Sequence, residues 1–248
     1  MDPAEYEYMY KLEDDLWWFV GMRRIAGNLL ERHFRGPEGP RLQVLDAGCG
    51  TGGQIPQLEG WGQVTAFDFY PKAAEMCLSR RKGRIAVASI DSIPFQDNSF
   101  DLVTAFDVVC QLPSPRDEAA LRELTRVLKP GGTLLVRVPA FQALYGSHDR
   151  TLHTEHRYTT GEMESKMERA GLRSVQSTYA NTFLFPVALV RRLFAKLTGK
   201  AATESDVRAV PPLLNTALQL PLELEAEILK RTRLPFGLSV IALAKKPS

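Results

Sequence analysis

The segment best suited to hold a ligand is a glycine-rich turn, Asp-Ala-Gly-Cys-Gly-Thr-Gly-Gly, at residues 46–53. It follows a short apolar run at 42–48 that predicts a buried strand. Glycines at the carboxyl end of a parallel strand let the backbone approach a ligand closely. Gly48, Gly50 and Gly53 also fit the dinucleotide pattern GxGxxG, so an NAD(P)-dependent oxidoreductase is one alternative.

Two carboxylates near this turn bear on the ligand's charge. Asp68 ends a second predicted strand, 20 residues after Gly48, where a carboxylate can bind both hydroxyls of a ribose. Asp46 stands two residues before the first glycine, where it would repel a pyrophosphate and attract a cation. The sulfonium and ammonium groups of S-adenosylmethionine are such cations, so Asp46 favours that cofactor over NAD.

The elements that must position these residues follow from hydrophobic periodicity. Apolar residues at helical spacing predict one helix over the first thirty-odd residues, ending at the breaker cluster 36–40. Further along, short apolar runs alternate with helical stretches, which favours a doubly wound, mostly parallel α/β sheet. The predicted strands are 42–48, 63–69, 84–90, 100–109, 132–140, 173–180 and 238–246, and the predicted helices are 71–82, 116–128 and 159–172, with a polar loop at 141–158.

Composition limits the class of protein. The chain has 248 residues, 44% of them hydrophobic and 24% charged, which suits one folded domain with elaborations and excludes a disordered or collagen-like chain. The net charge of +2 gives no general attraction for nucleic acid. Three cysteines without a CxxC pair predict reduced thiols. Neither a secretory leader nor a membrane-spanning run is evident, so we expect a cytoplasmic protein.

Four motifs within about residues 42–140 (VLDAGCGTG, TAFD, IPFQDNSFDLV and RVLKPGGTLLV) together resemble the class I S-adenosylmethionine-dependent methyltransferases. The resemblance implies a seven-stranded sheet whose last strand is antiparallel, with S-adenosylmethionine as cofactor and S-adenosylhomocysteine as product. It implies that Asp46, Gly48, Cys49 and Gly50 surround the methionine part, Asp68 binds the ribose, Phe69, Ser89 and Ile90 lie at the adenine, and Phe106 and Asp107 face the methyl group.

The chain departs from the family after strand four. Many relatives have an acid and a histidine there, whereas this chain has Cys110 and Gln111, so a mechanism using that histidine as base does not carry over. This departure leaves a non-catalytic, cofactor-binding partner protein as a second alternative. His148 is our candidate general base, because an imidazole pKa near 6.5 suits proton removal at neutral pH. Asp107 and Tyr158 complete the candidate catalytic set.

Two segments are expected to cover the site from the N-terminal side and from the loop 141–158. Residues 1–36 resemble the N-terminal lid of a bacterial methyltransferase subgroup found near polysaccharide and lipid-glycan enzymes; there Arg23 would meet the cofactor carboxylate. The loop holds three of the four histidines, but their spacing matches no zinc signature and we expect no metal. Candidate acceptor-binding residues in the lid and the loop are Trp17, Trp18, His153 and Arg157.

A third covering segment is predicted between strands six and seven, where residues 181–237 read as a helical cap above the site. The cap begins near Phe183, also a candidate acceptor contact, and residues 183–200 combine apolar and basic side chains, which leaves peripheral membrane contact open. The core is then 42–180 with 238–246. The expected acceptor is a small molecule, a sugar or a lipid-linked group; nucleic acid is not expected, since no Asn-Pro-Pro-Tyr-type tetrapeptide follows strand four.

Overall fold

The computed structural model describes residues 1, 3–32, 34, 41–80, 83–190 and 209–248. Its centre is a seven-stranded sheet of order β3-β2-β1-β4-β5-β7-β6 in which β7 is antiparallel to both neighbours and the other pairs are parallel. The predicted fold class is therefore confirmed. The strands are β1 (Leu42–Ala47), β2 (Gly62–Asp68), β3 (Arg84–Val87), β4 (Phe100–Phe106), β5 (Leu128–Pro139), β6 (Arg173–Ala180) and β7 (Ser239–Lys245).

Helices cover both faces of this sheet. They are α1 (Pro3–Leu12), α2 (Trp17–Glu31), α3 (Ile55–Glu59), α4 (Pro71–Arg80), α5 (Arg116–Val127), α6 (Ser147–Thr151), α7 (Thr160–Arg169) and α8 (Pro212–Leu229), with further helical residues at 185–190. Thr159 caps α7 as its sequence predicts, because its hydroxyl accepts from the Glu162 N–H at 3.3 Å.

Three details of the predicted elements are wrong. The N-terminal helix is two helices, because the chain leaves helical geometry at Leu16 (φ −67°, ψ 132°). The segment 141–158 is not a plain loop, since it contains α6 and a 3-10 turn at Gln142–Leu144. Strand β3 ends at Val87, so Ser89 and Ile90 lie in the following turn.

The two sheet faces have different partners. Residues of α5 and α7, such as Leu124 and Met163, are buried in one core cluster, and residues of α2 and α8 are buried in the other with Val44, Leu102 and Leu135. Because side chains alternate along a strand, positions two residues further along share the face of these three core residues. Asp46, Thr104 and Arg137 therefore lie on the α2/α8 face, near the carboxyl ends of β1, β4 and β5.

Helix α8 packs against α2 rather than lying only above the sheet edge. A Cβ added at Gly21 would stand 2.4 Å from Leu222 Cδ1, so the two backbones approach closely because residue 21 is glycine. The sequence predicts this segment as part of a cap, but its buried residues Leu222, Ala226 and Leu229 belong to the core. The boundaries of the predicted domain division stay a prediction, and residues 191–200 of the apolar and basic segment 183–200 lie outside the described residues.

Candidate active site

The glycine-rich turn is fastened to the neighbouring strand. The N–H groups of Gly48 and Cys49 both donate to the Phe67 carbonyl, at 2.9 Å each. Gly48 has φ 79°, a conformation that L side chains rarely adopt, and a Cβ there would stand 2.7 Å from Val108 Cγ2. The turn thus presents bare backbone at the carboxyl end of β1, where such folds bind ligands.

The Asp46 carboxylate accepts fewer hydrogen bonds than the Asp68 carboxylate at the same edge of the sheet. Its side chain is buried, with 2% exposure, and its Oδ1 accepts from Thr104 Oγ1 at 2.8 Å. Its Oδ2 is buried and has no hydrogen-bond partner among the described residues. Burial raises the pKa of Asp46 from 3.8 to about 7. A buried carboxylate with an unpaired oxygen is costly unless a cation reaches it, so Asp46 suits a cationic ligand group.

Asp68, in contrast, is well supplied with donors. Its Oδ2 accepts from Gly50 N and its Oδ1 from Tyr70 N, both at 2.9 Å. The Tyr6 hydroxyl also donates to Oδ1, at 3.3 Å. Burial raises the pKa of Asp68, while these hydrogen bonds act in the opposite direction. The next residue, Phe69, is 76% exposed, which leaves its ring open to an adenine.

The N-terminal segment covers the turn through Tyr6, Met9 and Glu13, which were not among the residues predicted from the sequence. Met9 Cε would be 2.6 Å from a Cβ on Gly50. Glu13, which is 4% exposed, accepts from Thr51 Oγ1 and from Arg80 Nη1, at 2.5 Å each. Together with Tyr6, these residues recur at helical spacing, so that one side of α1 meets Asp68, the turn and α4. The helical spacing of Tyr6, Met9 and Glu13 was the signal in the sequence that these residues share one side.

The turn after β3 holds the predicted adenine residues. Ile90 is buried with 4% exposure, and Ser89 is partly buried. The Ser89 hydroxyl donates to Asp91, whose other oxygen pairs with Arg116 Nη2 at 2.7 Å. Ser89 is therefore already engaged, and its neighbour Asp91 is held in place beside it.

At the ends of β4 and β5, an arginine stands between two aromatic rings. The Arg137 guanidinium carbon lies 4.9 Å from the Trp18 ring centroid and 5.1 Å from that of Phe106. Its Nε and Nη2 both contact Asp107 Oδ2, at 2.8 and 2.6 Å. Asp107 has a left-handed backbone, φ 57°, and its N–H donates to the Arg137 carbonyl at 2.8 Å. Arg137 is not among the residues predicted from the sequence, although a lone arginine in the apolar run LLVRVPA was a signal of a functional side chain.

The residues at this edge of the sheet lie within a region that matches a known protein family. Residues 45–136, which include the glycine turn and both acids, match the family model of the methyltransferase domain. Over this region the chain is therefore similar to the methyltransferase domain family.

Relatives agree on the domain and differ in acceptor. A malonyl-[acyl-carrier protein] O-methyltransferase of Erwinia pyrifoliae is 37% identical over 46% of this chain and 43% of that protein. Cycloartenol-C-24-methyltransferase 1 of Oryza sativa subsp. japonica is 26% identical over 55% of this chain and 41% of that protein. The matched region thus spans less than half of either relative. Phosphoethanolamine N-methyltransferase 2 of Haemonchus contortus, solved with S-adenosyl-L-methionine, shares the fold (TM-score 0.58, 19% identity, 89% of this chain, 52% of that chain).

Three N-terminal residues predicted to contact ligands have partners within the protein: Arg23, Trp17 and Trp18. Arg23 donates to the backbone carbonyls of Glu13 and Asp14, at 2.5 and 2.9 Å, and so ties α2 to the turn that precedes it. Trp17 is half-buried, and its backbone N–H donates to Asn215 Oδ1 on α8 at 2.8 Å. Of the three predicted contacts in this segment, the structure brings Trp18 closest to Phe106 and Asp107, through Arg137.

The segment 141–158 contributes less to the edge than its residue types suggest. The structure does not bring Tyr158 to Asp46: its ring is fully buried, and its hydroxyl donates to Asp117 Oδ2 at 3.0 Å. Burial and Asp117 also raise the pKa of Tyr158, which keeps the phenol protonated. Arg157 is buried too, and it pairs with Asp149 at 2.8 Å. Both residues therefore serve packing in this structure.

The remaining predicted residues are accessible to different degrees. His148 lies half-buried in α6, and His153 is exposed with φ 55°. Phe183 follows β6 and is 43% exposed. Among the described ranges, no three His, Cys, Asp or Glu side chains are grouped closely enough to hold a metal ion.

Proposed function

We propose that this chain transfers the methyl group of S-adenosylmethionine to a small-molecule acceptor, free or linked to a sugar or lipid. The observation that carries the proposal is the buried Asp46 carboxylate, whose Oδ2 has no partner among the described residues and which lies at the tip of β1 beside the glycine turn. An ammonium group of the ligand would give this oxygen its missing donor.

The charges around the turn support this ligand. Acids outnumber bases among the residues near it, which complements a ligand whose sulfonium and ammonium outweigh its one carboxylate. The acids are Asp46, Asp68, Glu13 and Asp107, and the bases are Arg23, Arg80 and Arg137. We propose that Asp46, Gly48, Cys49 and Gly50 hold the methionine part, Asp68 the ribose, Phe69, Ser89 and Ile90 the adenine, and Phe106 the region of the methyl group.

In the proposed reaction, the cofactor supplies an activated methyl group on a sulfonium. The task of the chain is to align and dehydrate the acceptor, which is the main source of rate in a direct displacement. Trp18 and Phe106 provide apolar surface at the methyl side, and the α1 face shields the turn. His148 is the proposed base for an acceptor that must lose a proton. Asp107 is engaged by Arg137 and is better suited to orient than to abstract.

The acceptors named for the relatives, cycloartenol and malonyl-[acyl-carrier protein], support a small-molecule or carrier-linked acceptor. Peripheral membrane contact is a secondary proposal for a cytoplasmic protein. It is supported by exposed apolar side chains after β6: Phe183, Val187 and Val190 are 43%, 68% and 66% exposed. No described helix is long and apolar enough to span a bilayer. Co-sedimentation of the full chain with anionic vesicles tests this contact, and recovery of all protein in the supernatant refutes it.

The cofactor assignment is tested by calorimetry with S-adenosylmethionine. Asp46→Asn is expected to weaken binding at least about tenfold, because it removes the negative charge that the proposed ammonium group would meet. Asp101→Asn is the matched control, since Asp101 lies at the opposite end of the sheet, paired with Lys129 at 2.9 Å. Equal affinity in Asp46→Asn and wild type would overturn the assignment.

Two further readouts separate the alternatives. Mass spectrometry of ligand retained by the purified protein distinguishes S-adenosylmethionine from NAD(P), and the methyltransferase domain match argues against the latter. Release of S-adenosylhomocysteine that depends on an added acceptor excludes a non-catalytic partner protein.

A further inference from the structure

The arginine between the two aromatic rings has donors that the fold does not use. We propose that Arg137 is the anion-binding residue of the acceptor site, so that the acceptor carries a carboxylate or phosphate group. This inference rests on the proposed methyl transfer and specifies its substrate class.

Arg137 lies one strand beyond β4 and two beyond the proposed cofactor residue Asp46, although its charge still acts on Asp46. In the parallel register, Asp46 pairs with Thr104, and Phe106, two residues further along β4, pairs with Arg137. The strand order β2-β1-β4-β5 places Asp68 and Asp46 on one side of Phe106 and Arg137 on the other. If the cofactor occupies the edge of β1 and β2, with its methyl group toward Phe106, the next strand faces the acceptor.

The hydrogen bonds of Arg137 leave part of its guanidinium free. The group has five N–H donors, and two of them, on Nε and Nη2, go to one oxygen of Asp107. Within the described part of the chain its side-chain contacts with acceptors are these two to Asp107, and its Nη1 is not buried without a partner, so it remains open to an incoming group. The unused donors lie on adjacent nitrogens of a planar group, the arrangement that binds two oxygens of a carboxylate or phosphate.

The surroundings hold this guanidinium in a fixed orientation. Trp18 and Phe106 lie about 5 Å from it, and Asp107 returns a backbone hydrogen bond to the Arg137 carbonyl. A fixed, nearly dry guanidinium loses little entropy when it binds an anion. The other two arginines near the turn are already engaged, because Arg23 donates to two backbone carbonyls and Arg80 pairs with Glu13 and Asp14. Arg137 is therefore the best placed of the three for an incoming anion.

The test measures anion binding to the full chain saturated with S-adenosylhomocysteine. The probes are malonate and inorganic phosphate, with uncharged malonamide as the control at equal ionic strength, followed by calorimetry or ligand-observed NMR. We expect at least one anion to bind wild type about tenfold or more tightly than malonamide. Arg137→Gln should lower that anion's affinity about tenfold or more and leave malonamide unchanged, with Arg137→Lys intermediate. The anion that binds identifies carboxylate or phosphate as the acceptor group.

Arg24→Gln is the matched control, because it removes the same charge from an exposed residue of α2 that pairs with Glu223 at 2.7 Å. Equal anion affinity in Arg137→Gln and Arg24→Gln refutes the inference, and so does the absence of anion binding by wild type. Loss of S-adenosylhomocysteine binding in folded Arg137→Gln also refutes it, since Arg137 would then serve the cofactor carboxylate. If wild type itself does not bind S-adenosylhomocysteine, the proposed function fails first, and this inference with it.

Discussion

Replacement of Asp46 by asparagine should stabilise the ligand-free protein at pH 8 while it weakens cofactor binding. The folded protein holds the Asp46 proton more tightly than the unfolded chain, because burial raises the pKa from 3.8 to about 7. The wild type therefore loses stability as pH rises from about 4 to about 7, and the loss stays constant above that range. Asparagine has no charge to bury and escapes this loss.

The magnitude follows from the pKa. A rise from 3.8 to about 7 corresponds to about 4 kcal/mol in favour of the protonated form, at about 1.4 kcal/mol per tenfold change in proton affinity. Asparagine can keep the hydrogen bond from Thr104, but it places an amide N–H where Oδ2 has no partner, which costs about 1–3 kcal/mol. The net expectation is a variant about 1–3 kcal/mol more stable than wild type at pH 8.

Urea unfolding of dialysed, ligand-free protein at pH 5 and pH 8 measures this difference. Other titrating groups largely cancel between wild type and Asp46→Asn, so the advantage of the variant should fall by about 2–3 kcal/mol at pH 5, where wild type is mostly protonated. Asp101→Asn, which breaks the ion pair with Lys129, should not gain stability at pH 8.

An equal loss of stability in Asp46→Asn at both pH values would refute the reasoning, because it would mean that the carboxylate is satisfied in the ligand-free protein. Binding gives an independent check. The affinity of wild type for S-adenosylmethionine should rise with pH and level off above about 7, as Asp46 becomes ionised, whereas the weak binding of Asp46→Asn should lack this rise.

Two predictions concern packing. Tyr158→Phe should lower stability by about 1–2 kcal/mol, through the lost bond to Asp117, while S-adenosylhomocysteine release continues at a wild-type rate; a collapse of turnover in the folded variant would return Tyr158 to the catalytic set. Gly21→Ala should lower the melting temperature, because its Cβ would stand 2.4 Å from Leu222, whereas Gly161→Ala, with nothing within 4 Å, should be neutral or stabilising; similar effects at both sites would contradict the close packing of α2 on α8.

Sequence predicted most of the sheet, because buried parallel strands are short apolar runs bounded by turn residues. The glycine turn and its acids were also readable, since positive φ and close backbone approach restrict the residue types at those positions. The residues that contact the turn and its acids could not be predicted from the sequence. Tyr6 meets Asp68 across 62 residues of sequence, a contact that periodicity within one helix cannot specify.

The errors have a common physical origin. Tyr158 sits in a segment rich in polar residues, yet its backbone pairs with Ala140 beside β5, which draws the ring into the core. Arg23 and Arg137 cannot be distinguished by residue type. Only the folded chain shows that Arg23 donates to two backbone carbonyls, whereas Asp107 engages part of the Arg137 guanidinium. Helix α8 reads as a leucine-rich insertion, and its partner α2 is signalled only by Gly21.

The packing of α2 on α8 has a consequence for synthesis of the chain. The Asn28 side chain donates to the Ala226 carbonyl, across 198 residues of sequence. While a ribosome is still making the middle of the chain, the sheet face that carries Asp46 and Arg137 has α2 and α3 on it but still lacks α8. Because domains consolidate as units, the pocket should form only after residue 229 has emerged. A nascent or truncated chain lacking α8 would therefore have the cofactor motifs without a closed site.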